Sequence, residues 1–282
     1  MNKSAEGSVY KNRQTSIPRP PFYGTRIVPR ISVEHVYNYI NPVVLFRVQW
    51  GYRRQPDMTQ HEYDRYIERE VVPVYEHYKL LCLRNSLIQP QVVYGYFYAQ
   101  SDGDNLVIYH NDGQTQWVQF SFPRQTHTPE RRCITDYFAS VNSGQLDLAV
   151  FQIVTIGSTL SEVARSCAEK GDEAEYRHLN GLAVEMTEAL AEYAHRQLRL
   201  ELDIADEDSP YVLDMFHGSY RGARFAFGDA TGPNTADLAE LFALLEPTDI
   251  GVALTQNFRL TPEHTSASLI VHHPEARIFN VR

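Results

Sequence analysis

Lysine is scarce in this sequence. Its 282 residues include only four lysines, Lys3, Lys11, Lys79 and Lys170. None of the four lies in a recognisable pyridoxal-phosphate setting, so Schiff-base chemistry on a lysine is not expected. The sequence therefore predicts a protein that works without pyridoxal phosphate.

Cysteine and long apolar runs are also scarce. The three cysteines, Cys82, Cys133 and Cys167, are odd in number and widely spaced, which fits buried thiols in a reducing compartment better than disulfides or a zinc site. No apolar run approaches the roughly 18 to 20 residues that span a bilayer. Met1–Ser16 is polar and lacks the apolar region of a signal peptide. These absences predict a cytoplasmic protein without a membrane partner.

Positive charge is in short supply, because 26 Lys and Arg face 35 Asp and Glu, for a formal net charge of −9. A nucleic-acid partner is therefore not expected, since phosphate binding needs a concentrated basic surface. The sequence also has no G-x-x-x-x-G-K-S/T loop and no Rossmann fingerprint. Nucleotide binding through either of these motifs is excluded.

Metal and cobalamin motifs are missing as well. His264, His272 and His273 are the most suggestive histidines, but neighbours on a strand point to opposite faces and no carboxylate-rich ligand spacing accompanies them. Asp214-Met-Phe-His217-Gly218 has the wrong spacing for the cobalamin-binding D-x-H-x-x-G. We therefore expect no metal site and no cobalamin bound by this chain itself.

Apolar and aromatic residues are plentiful. They make up 43% of the chain and include 18 Tyr and 13 Phe, enough to bury a sizeable core. Residues 1–18 are predicted to form a flexible arm that ends in a proline-rich stretch. Because no internal repeat or linker is visible, residues 19–282 are predicted to form a single domain. The sequence leaves the oligomeric state open.

Strand patterns cluster in the first half of the chain. Val92–Tyr98, Leu106–Tyr109 and Trp117–Phe122 are separated by Ser-Asp-Gly-Asp and Asn-Asp-Gly-Gln, both good turn sequences. Short turns imply antiparallel neighbours, so these runs predict a meander, and Leu148–Thr155 predicts a further buried strand. Strands in a meander and helices in blocks favour an α+β fold, an antiparallel twisted sheet flanked by helices.

Helices are predicted from capping and periodicity. The predicted segments are a short helix within Ile31–Val48 followed by an extended piece, a helix from the capping box Thr59–Glu62 that resumes past Pro73 to about Leu83, Pro129–Ala139, a helix opened by a second capping box at Thr159–Glu162, Leu179–Leu202, and a short helix from Ser209.

The strongest helical pattern is that of Leu179–Leu202. Its apolar face carries Leu182, Met186, Leu190, Tyr193 and Ala194. The opposite side carries Glu185, Glu188, Glu192, His195 and Arg199. From this pattern alone, Glu188 is a surface carboxylate on a helix whose charged side chains pair with one another at i,i+4 spacing.

A glycine-bearing aromatic segment, Arg224-Phe-Ala-Phe-Gly-Asp-Ala-Thr-Gly-Pro233, is the most distinctive stretch of the chain. Glycine permits turns with positive φ and close approach of a ligand to the main chain. Arg224 offers a planar fork of donors suited to a carboxylate. Taken by itself, the segment is equally well explained as a surface loop with an ordinary ion pair.

The segment resembles the signature of the activation domain of cobalamin-dependent methionine synthase, which typically reads R-x-x-x-G-Y-P-A-C-P and is followed by a helix, a serine-rich strand and H-P. The matching elements are Arg224, Ala226, Gly228, Pro233-Asn234, Leu238–Leu245, Pro262-Glu263, Ser266-Ala267 and His272-His273-Pro274. Upstream they are Tyr94-Gly-Tyr-Phe97, Phe120-Ser-Phe-Pro-Arg-Gln125, Val154-Thr155 and Glu188-Ala-Leu-Ala-Glu-Tyr193. The resemblance covers roughly residues 20–282.

The resemblance implies an activation-domain-like α+β fold that binds S-adenosylmethionine as a substrate or ligand. It implies that Arg224 holds the methionine carboxylate and that Glu188 lies near the ammonium or the sulfonium. The backbones of Ala226 and Gly228 would lie along the ligand. Ile278 and Phe279 match an aromatic pair that closes over the nucleoside, with Ile278 replacing one ring. Tyr220 is a further candidate for substrate contact.

Two departures from the family pattern stand out. Asn41, in Tyr39-Ile-Asn41, replaces a usual aspartate, which keeps the shape of the side chain but removes its charge. Asp229 replaces the tyrosine after the glycine, and Ala230-Thr231-Gly232 replaces Pro-Ala-Cys. One acidic group has left the pocket and another has appeared. The alternatives are random drift of a decaying site and retuning for a different reaction.

Three functions follow from the resemblance, all with S-adenosylmethionine as the small-molecule partner. The favoured one is a stand-alone lyase that cyclises S-adenosylmethionine to 1-aminocyclopropane-1-carboxylate and methylthioadenosine without pyridoxal phosphate. The second is reactivation in trans of a cobalamin-dependent methyltransferase, whose cobalamin would receive the methyl group. The third is a non-catalytic binding or sensing protein.

The lyase hypothesis requires a base and a clamp. Glu188 and Arg224 would grip the ammonium and the carboxylate and fold the methionine chain so that Cα approaches Cγ. Asp229 is the candidate base, and it needs desolvation to raise its pKa toward neutrality. His217 and Tyr220 are candidate helpers, although the favoured explanation for both is that they are core residues.

Overall fold

The computed structural model describes residues 16–206 and 208–281. Most of the predicted N-terminal arm, residues 1–18, lies outside the described residues. The strands are β1 (Gly24–Val28), β2 (Gln91–Asp102), β3 (Asn105–Tyr109), β4 (Gln116–Ser121), β5 (Asp147–Thr155), β6 (Ala223–Ala226), β7 (Ala253–Leu254), β8 (Leu260–Thr261) and β9 (Thr265–Val271). The α-helices are α1 (Val33–Tyr37), α2 (Pro42–Val44), α3 (Gln60–Tyr66), α4 (Val72–Arg84), α5 (Thr159–Glu169), α6 (Glu173–Glu201), α7 (Val212–Met215) and α8 (Leu238–Leu245).

Seven of these strands form one antiparallel sheet in the order β4-β3-β2-β5-β9-β6, with β1 also paired to β2. β2 is long enough to bind two partners along one edge, since Gly24 of β1 faces Tyr96 and Ile108 of β3 faces Ala99. The predicted meander is β2-β3-β4 and the predicted buried strand is β5. The α+β class and the antiparallel sheet flanked by helices are confirmed.

The sheet separates two apolar cores, because successive strand side chains point to opposite faces. On one face, Val92, Tyr94 and Tyr96 of β2 pack with the apolar side of α6. On the other face, Val93 and Phe97 pack with α8 and the C-terminal segment. Both faces of β2 and β5 are covered, so these central strands are buried along nearly their whole length.

The long helix α6 begins earlier than predicted, at Glu173, and it is buried on both sides. Glu185, Glu192, His195 and Arg199 are buried, although the sequence placed them opposite the apolar face. The segment that contains α7 and β6 covers this side of the helix. Its Tyr220 packs against His195 and Arg199. Partners from this distant segment replace the i,i+4 pairs that the sequence predicted.

Several local predictions are wrong. The extended piece expected after the helix in Ile31–Val48 is helical instead, because Asn41 caps α2 and the chain continues into a π-helix at Leu45–Gln49. Only Ile134–Tyr137, a 3₁₀-helix, is helical within Pro129–Ala139. The N-cap of α5 is Ser158, without a side-chain capping bond, so the second capping box does not form.

The first capping box is confirmed. Thr59 Oγ1 accepts a hydrogen bond from the Glu62 amide, and the Glu62 carboxylate accepts one from the Thr59 amide. The helix that it opens runs through a π-helical turn at Ile67–Val71 into α4. Pro73 lies in the first turn of α4, where its missing N–H costs little.

Gly181 sets the distance between α6 and the π-helix Leu45–Gln49. A Cβ at Gly181 would lie 2.8 Å from Trp50 Cδ1 and 2.9 Å from Gln49 Cβ. These contacts are shorter than side-chain carbons tolerate, so any larger residue forces the two segments apart. The close approach also delivers the side chain of Gln49 to α6, where Glu185 receives its hydrogen bond.

We expect Gly181→Val to lower the free energy of unfolding by about 1 to 3 kcal/mol through overpacking. Urea denaturation followed by circular dichroism measures the change. Valine has a higher helix propensity than glycine, so propensity alone would make Gly181→Val stabilising. Ala174→Val, at an exposed position on the same helix, is the control for placing valine in this helix without overpacking. A Gly181→Val loss no larger than that of Ala174→Val would show that the two segments are not in tight contact.

Candidate functional site

A cavity of about 560 Å³ opens between α6, the segment around α2 and the segment that joins α7 to β6. Its volume falls in the range of small-molecule sites. The wall is formed by Tyr39, Asn41, Val44, Glu185, Glu188, Ala189, Glu192, Met215, Phe216, His217, Gly218, Tyr220, Gly222, Ala223, Arg224, Arg277 and Ile278. Four separate parts of the chain therefore meet at one site, because the C-terminal segment contributes Arg277 and Ile278.

Three carboxylates of α6 face this cavity. Glu185, Glu188 and Glu192 are spaced three and four residues apart, so they lie on one side of the helix. Glu188 is half exposed at its side chain, whereas Glu185 and Glu192 are buried. Only Glu188 was predicted from the sequence as a site residue. The helical spacing around it was the signal for the other two.

Arg224 closes the opposite wall. It lies on the short edge strand β6, where Arg224 pairs with Ile270 of β9. Its Nη2 donates to Glu188 Oε2 at 3.0 Å and lies 3.9 Å from Glu192 Oε2. Burial acts to lower the pKa of Arg224, but the two carboxylates outweigh burial and raise it. Arg224 is therefore a fixed positive charge held by α6.

Part of the Arg224 fork has no partner. Its Nε is buried and makes no hydrogen bond with the described residues. A buried donor without an acceptor costs free energy, and such a group often awaits a ligand. Glu188 thus satisfies only part of the fork, which has a donor left for a second carboxylate.

Behind Arg224, the charges alternate in sign along a buried row. Arg199 donates from Nε and Nη2 to Asp208 at 3.0 and 2.8 Å, and its Nη1 lies 4.0 Å from Glu192. The Arg199 guanidinium also stacks 4.1 Å from the ring of Tyr220. Burial raises the pKa of Glu192, which the two arginines oppose. The row Asp208–Arg199–Glu192–Arg224 fixes the positions of the last two side chains.

His195 lies beside this row and is fully buried. Burial, together with Arg199 and Arg224, lowers its pKa well below the usual value, so the imidazole is neutral. Its ring packs edge-on against Tyr220 with centroids 5.0 Å apart. His195 is thus a neutral side chain packed between α6 and Tyr220, and it does not line the cavity.

Glu185 differs from its two neighbours. Its Oε1 accepts a hydrogen bond from Gln49 Nε2 at 3.2 Å. Among the described residues, no Lys, Arg or His nitrogen forms an ion pair with Glu185, whereas Glu188 and Glu192 both lie within 4 Å of Arg224. Burial is the main cause that raises the pKa of Glu185 to about 7, and the charge of Glu188 adds to it. The cavity wall therefore contains a carboxyl that titrates near neutrality.

The structure brings five of the predicted site residues together. Asn41, Glu188, Tyr220, Arg224 and Ile278 line the cavity. Asn41 also caps α2, because its Oδ1 accepts from the amides of Val43 and Val44 at 3.1 and 3.3 Å. An aspartate would cap this turn equally well. Helix capping therefore does not explain why Asn41 stands where the family usually has an aspartate.

Four predicted residues lie outside the cavity lining, namely Ala226, Gly228, Asp229 and Phe279. Asp229 is exposed on a tight turn after β6, although burial and the charge of Glu188 raise its pKa. Phe279 packs on the other side of the sheet, where its ring meets Phe225 edge-on at 6.4 Å. Gly228 has φ +91°, which favours glycine for the turn itself.

Residues 32–282 match the family described as "Vitamin B12 dependent methionine synthase, activation domain". The chain belongs to this family. The resemblance read from Arg224, Gly228 and the elements around them is confirmed.

The relatives of this activation-domain chain include two mycobacterial methionine synthases. The protein of Mycobacterium tuberculosis is 37% identical over 278 residues, which is 94% of this chain and 23% of that protein. The Mycobacterium leprae protein is 32% identical, with the same two shares. The chain thus spans about a quarter of the length of the curated relatives that it matches.

A solved structure has the same fold. It is the crystal structure of the MetH reactivation domain bound to AdoHcy, which matches with a TM-score of 0.81 at 24% identity, over 95% of this chain and 84% of that one. The activation-domain-like α+β fold is therefore confirmed. In the described parts of the chain, no helix combines the length and the apolar character needed to cross a bilayer. Within the same residues, no group of three or more potential ligands could hold a metal ion.

The raised pKa of Glu185 makes a prediction for stability. Because its folded pKa of about 7 exceeds the ordinary 4.5, the proton stabilises the fold fully below about pH 4.5, and this stability is lost as the pH rises through about 7. We therefore compare the free energy of unfolding of Glu185→Gln with that of the parent at two pH values. The variant should be more stable relative to the parent at about pH 8 than at about pH 5.5. After allowance for screening in the open cavity, the difference is about 1 to 2 kcal/mol.

Urea unfolding of both proteins at the two pH values measures this difference. Glu173→Gln, at an exposed position in the first turn of the same helix, is the matched control and should show no such dependence. Equal effects of Glu185→Gln at both pH values would mean that Glu185 titrates as an ordinary surface carboxylate.

Proposed function

We propose that the cavity binds S-adenosylmethionine. The observation that carries this proposal is the pair formed by Arg224 and Glu188 on the cavity wall, 3.0 Å apart. The amino-acid end of the ligand carries a carboxylate and an ammonium. It can exchange with this pair, so that its carboxylate binds the Arg224 fork and its ammonium binds Glu188.

Two further features support this ligand. The unpartnered Nε of Arg224 provides a second donor for a bidentate carboxylate. The acidic wall formed by Glu185, Glu188 and Glu192 suits a sulfonium cation. The MetH reactivation domain, which shares the fold, was crystallised with AdoHcy, and AdoHcy is S-adenosylmethionine without its methyl group.

We propose that the bound ligand is itself the substrate of a ring closure. Loss of the α-proton and attack of Cα on Cγ would give 1-aminocyclopropane-1-carboxylate, and the sulfur would leave as neutral methylthioadenosine. The grip of Arg224 and Glu188 on both polar groups of the amino acid holds Cα in one place, and such positioning can contribute about 7 kcal/mol or more to an intramolecular step. Several carboxylates on one wall supply candidates for the base.

A second function is favoured by the family itself. The chain would present the methyl group of S-adenosylmethionine to the cobalamin of a methyltransferase, held on another module or another protein. Its support is the match to a defined quarter of two methionine synthases. This function needs the same grip on the ligand, but it leaves the amino-acid part intact.

Binding is tested first with AdoHcy, which lacks the reactive sulfonium. We expect Arg224→Gln to weaken binding by about 10- to 100-fold, because a charged hydrogen-bonded pair to the carboxylate is lost. Titration calorimetry measures the affinity. Arg259→Gln, at an exposed arginine between β7 and β8, should bind like the parent. Parent protein that gives no heat and no thermal shift with saturating AdoHcy would refute the proposed ligand.

The fate of the ligand is tested by product analysis. S-adenosylmethionine is incubated with the protein and, separately, without it, because sulfonium compounds decompose by themselves. We expect protein-dependent formation of equal amounts of 1-aminocyclopropane-1-carboxylate and methylthioadenosine. If neither product forms, but a cobalamin-loaded methionine synthase without its own activation domain becomes methylated faster, the second function is the correct one.

A further inference from the structure

The three carboxylates on the cavity wall are not equivalent. Glu188 and Glu192 lie 3.0 and 3.9 Å from Arg224, so both form ion pairs with the guanidinium. Within the described residues, Glu185 has no such cation, and its one hydrogen bond comes from the amide of Gln49. A carboxylate without an ion pair is the more basic one, because no cation stabilises its ionised form.

Geometry places Glu185 beside the amino-acid end of the ligand. It lies three residues before Glu188 on α6, about one helical turn away on the same wall. When Glu188 holds the ammonium, the hydrogen on Cα is two bonds from the gripped nitrogen. The carboxylate of Glu185 is then the next group along α6 that can accept this proton.

We propose that Glu185 is the base that removes the α-proton of bound S-adenosylmethionine. This assignment rests on the proposed ring closure. Its pKa of about 7, raised chiefly by burial, matches the requirement that a general base be ionised yet still basic near neutrality. The amide of Gln49 fixes the carboxylate without protonating it.

Glu185 is better placed than the base predicted from the sequence. Asp229 is exposed on the turn that follows β6 and does not line the cavity. The base must reach Cα while the carboxylate is on Arg224 and the ammonium on Glu188. Glu185 lines the same cavity as both of these side chains, whereas Asp229 is not among the lining residues.

The proposed step balances in atoms and electrons. The Cα–H bond breaks and its proton moves to a carboxylate oxygen of Glu185. The electron pair left on Cα forms the Cα–Cγ bond, the Cγ–S bond breaks, and its pair stays on sulfur as a neutral thioether. The proton on Glu185 then returns to solvent, so no cofactor, oxidant or reductant is needed.

The other charged and titratable groups that line the cavity bear on the pH dependence. They are Glu188 and Glu192 of α6, Arg224 of β6, Arg277 of the C-terminal segment, His217 and Tyr220 between α7 and β6, and Tyr39. The parent rate should rise with pH through the titration of Glu185. A variant without this carboxylate should lose that rise together with its activity.

The test compares Glu185→Gln with the parent chain. We expect formation of 1-aminocyclopropane-1-carboxylate to fall at least 100-fold, in line with the contribution of a general base. Affinity for AdoHcy should change less than about threefold, because Glu185 is not part of the grip on the ligand. Glu185→Asp should retain partial activity, and exposed Glu173→Gln full activity.

The outcomes separate the two claims. Retained turnover in Glu185→Gln, or its loss in Asp229→Asn alone, would overturn the role of Glu185 while the ring closure stands. A parent protein that binds AdoHcy but forms no cyclic amino acid would overturn the ring closure, and the role of Glu185 with it. Preserved AdoHcy binding by Glu185→Gln excludes misfolding as the cause of lost activity.

Discussion

The site depends on one largely buried guanidinium, that of Arg224, held between two carboxylates of α6. Burying a charge is costly, and here Glu188 and Glu192 offset the cost from one side. The same contacts tie the edge strand β6 to the long helix. Loss of Arg224 would leave Glu192 buried beside Glu188 without its nearest cation. The residue that grips the proposed ligand is thus also one that holds the cavity wall in place.

The neighbouring charges explain why this arrangement is rigid. Arg199 donates to Asp208 through Nε and Nη2 and lies against Tyr220. Its buried Nη1 makes no hydrogen bond with the described residues and lies 4.0 Å from Glu192. Glu192 in turn interacts with both Arg199 and Arg224, which hold it in place when a ligand binds. Glu188, half exposed at the end of this row, is the member that can move. A ligand can therefore displace Glu188 from Arg224 without disturbing the charges behind it.

The sequence predicted elements whose signals are local. The turns around β3, the capping box at Thr59 and the apolar face of α6 each depend on residues that are close in the chain, and all three formed. The charged side of α6 was interpreted as a surface because the segment that covers it follows only after the helix ends. Glu185 was missed as a site residue because its partner Gln49 is also distant in the chain, 136 residues before it. Arg224 and Glu188 were found through the family resemblance.

The net charge of the cavity wall is related both to the charge of the proposed ligand and to the proposed reaction. Three carboxylates and two guanidiniums line it, so the wall is net negative when Glu185 is ionised and balanced when it is protonated. S-adenosylmethionine carries one net positive charge and therefore favours the ionised form, which is the form a base needs. In the proposed ring closure, proton transfer to Glu185 and departure of a neutral thioether would remove both charges together. The wall would then be balanced without the ligand, and the attraction for a cation would not retain the neutral products.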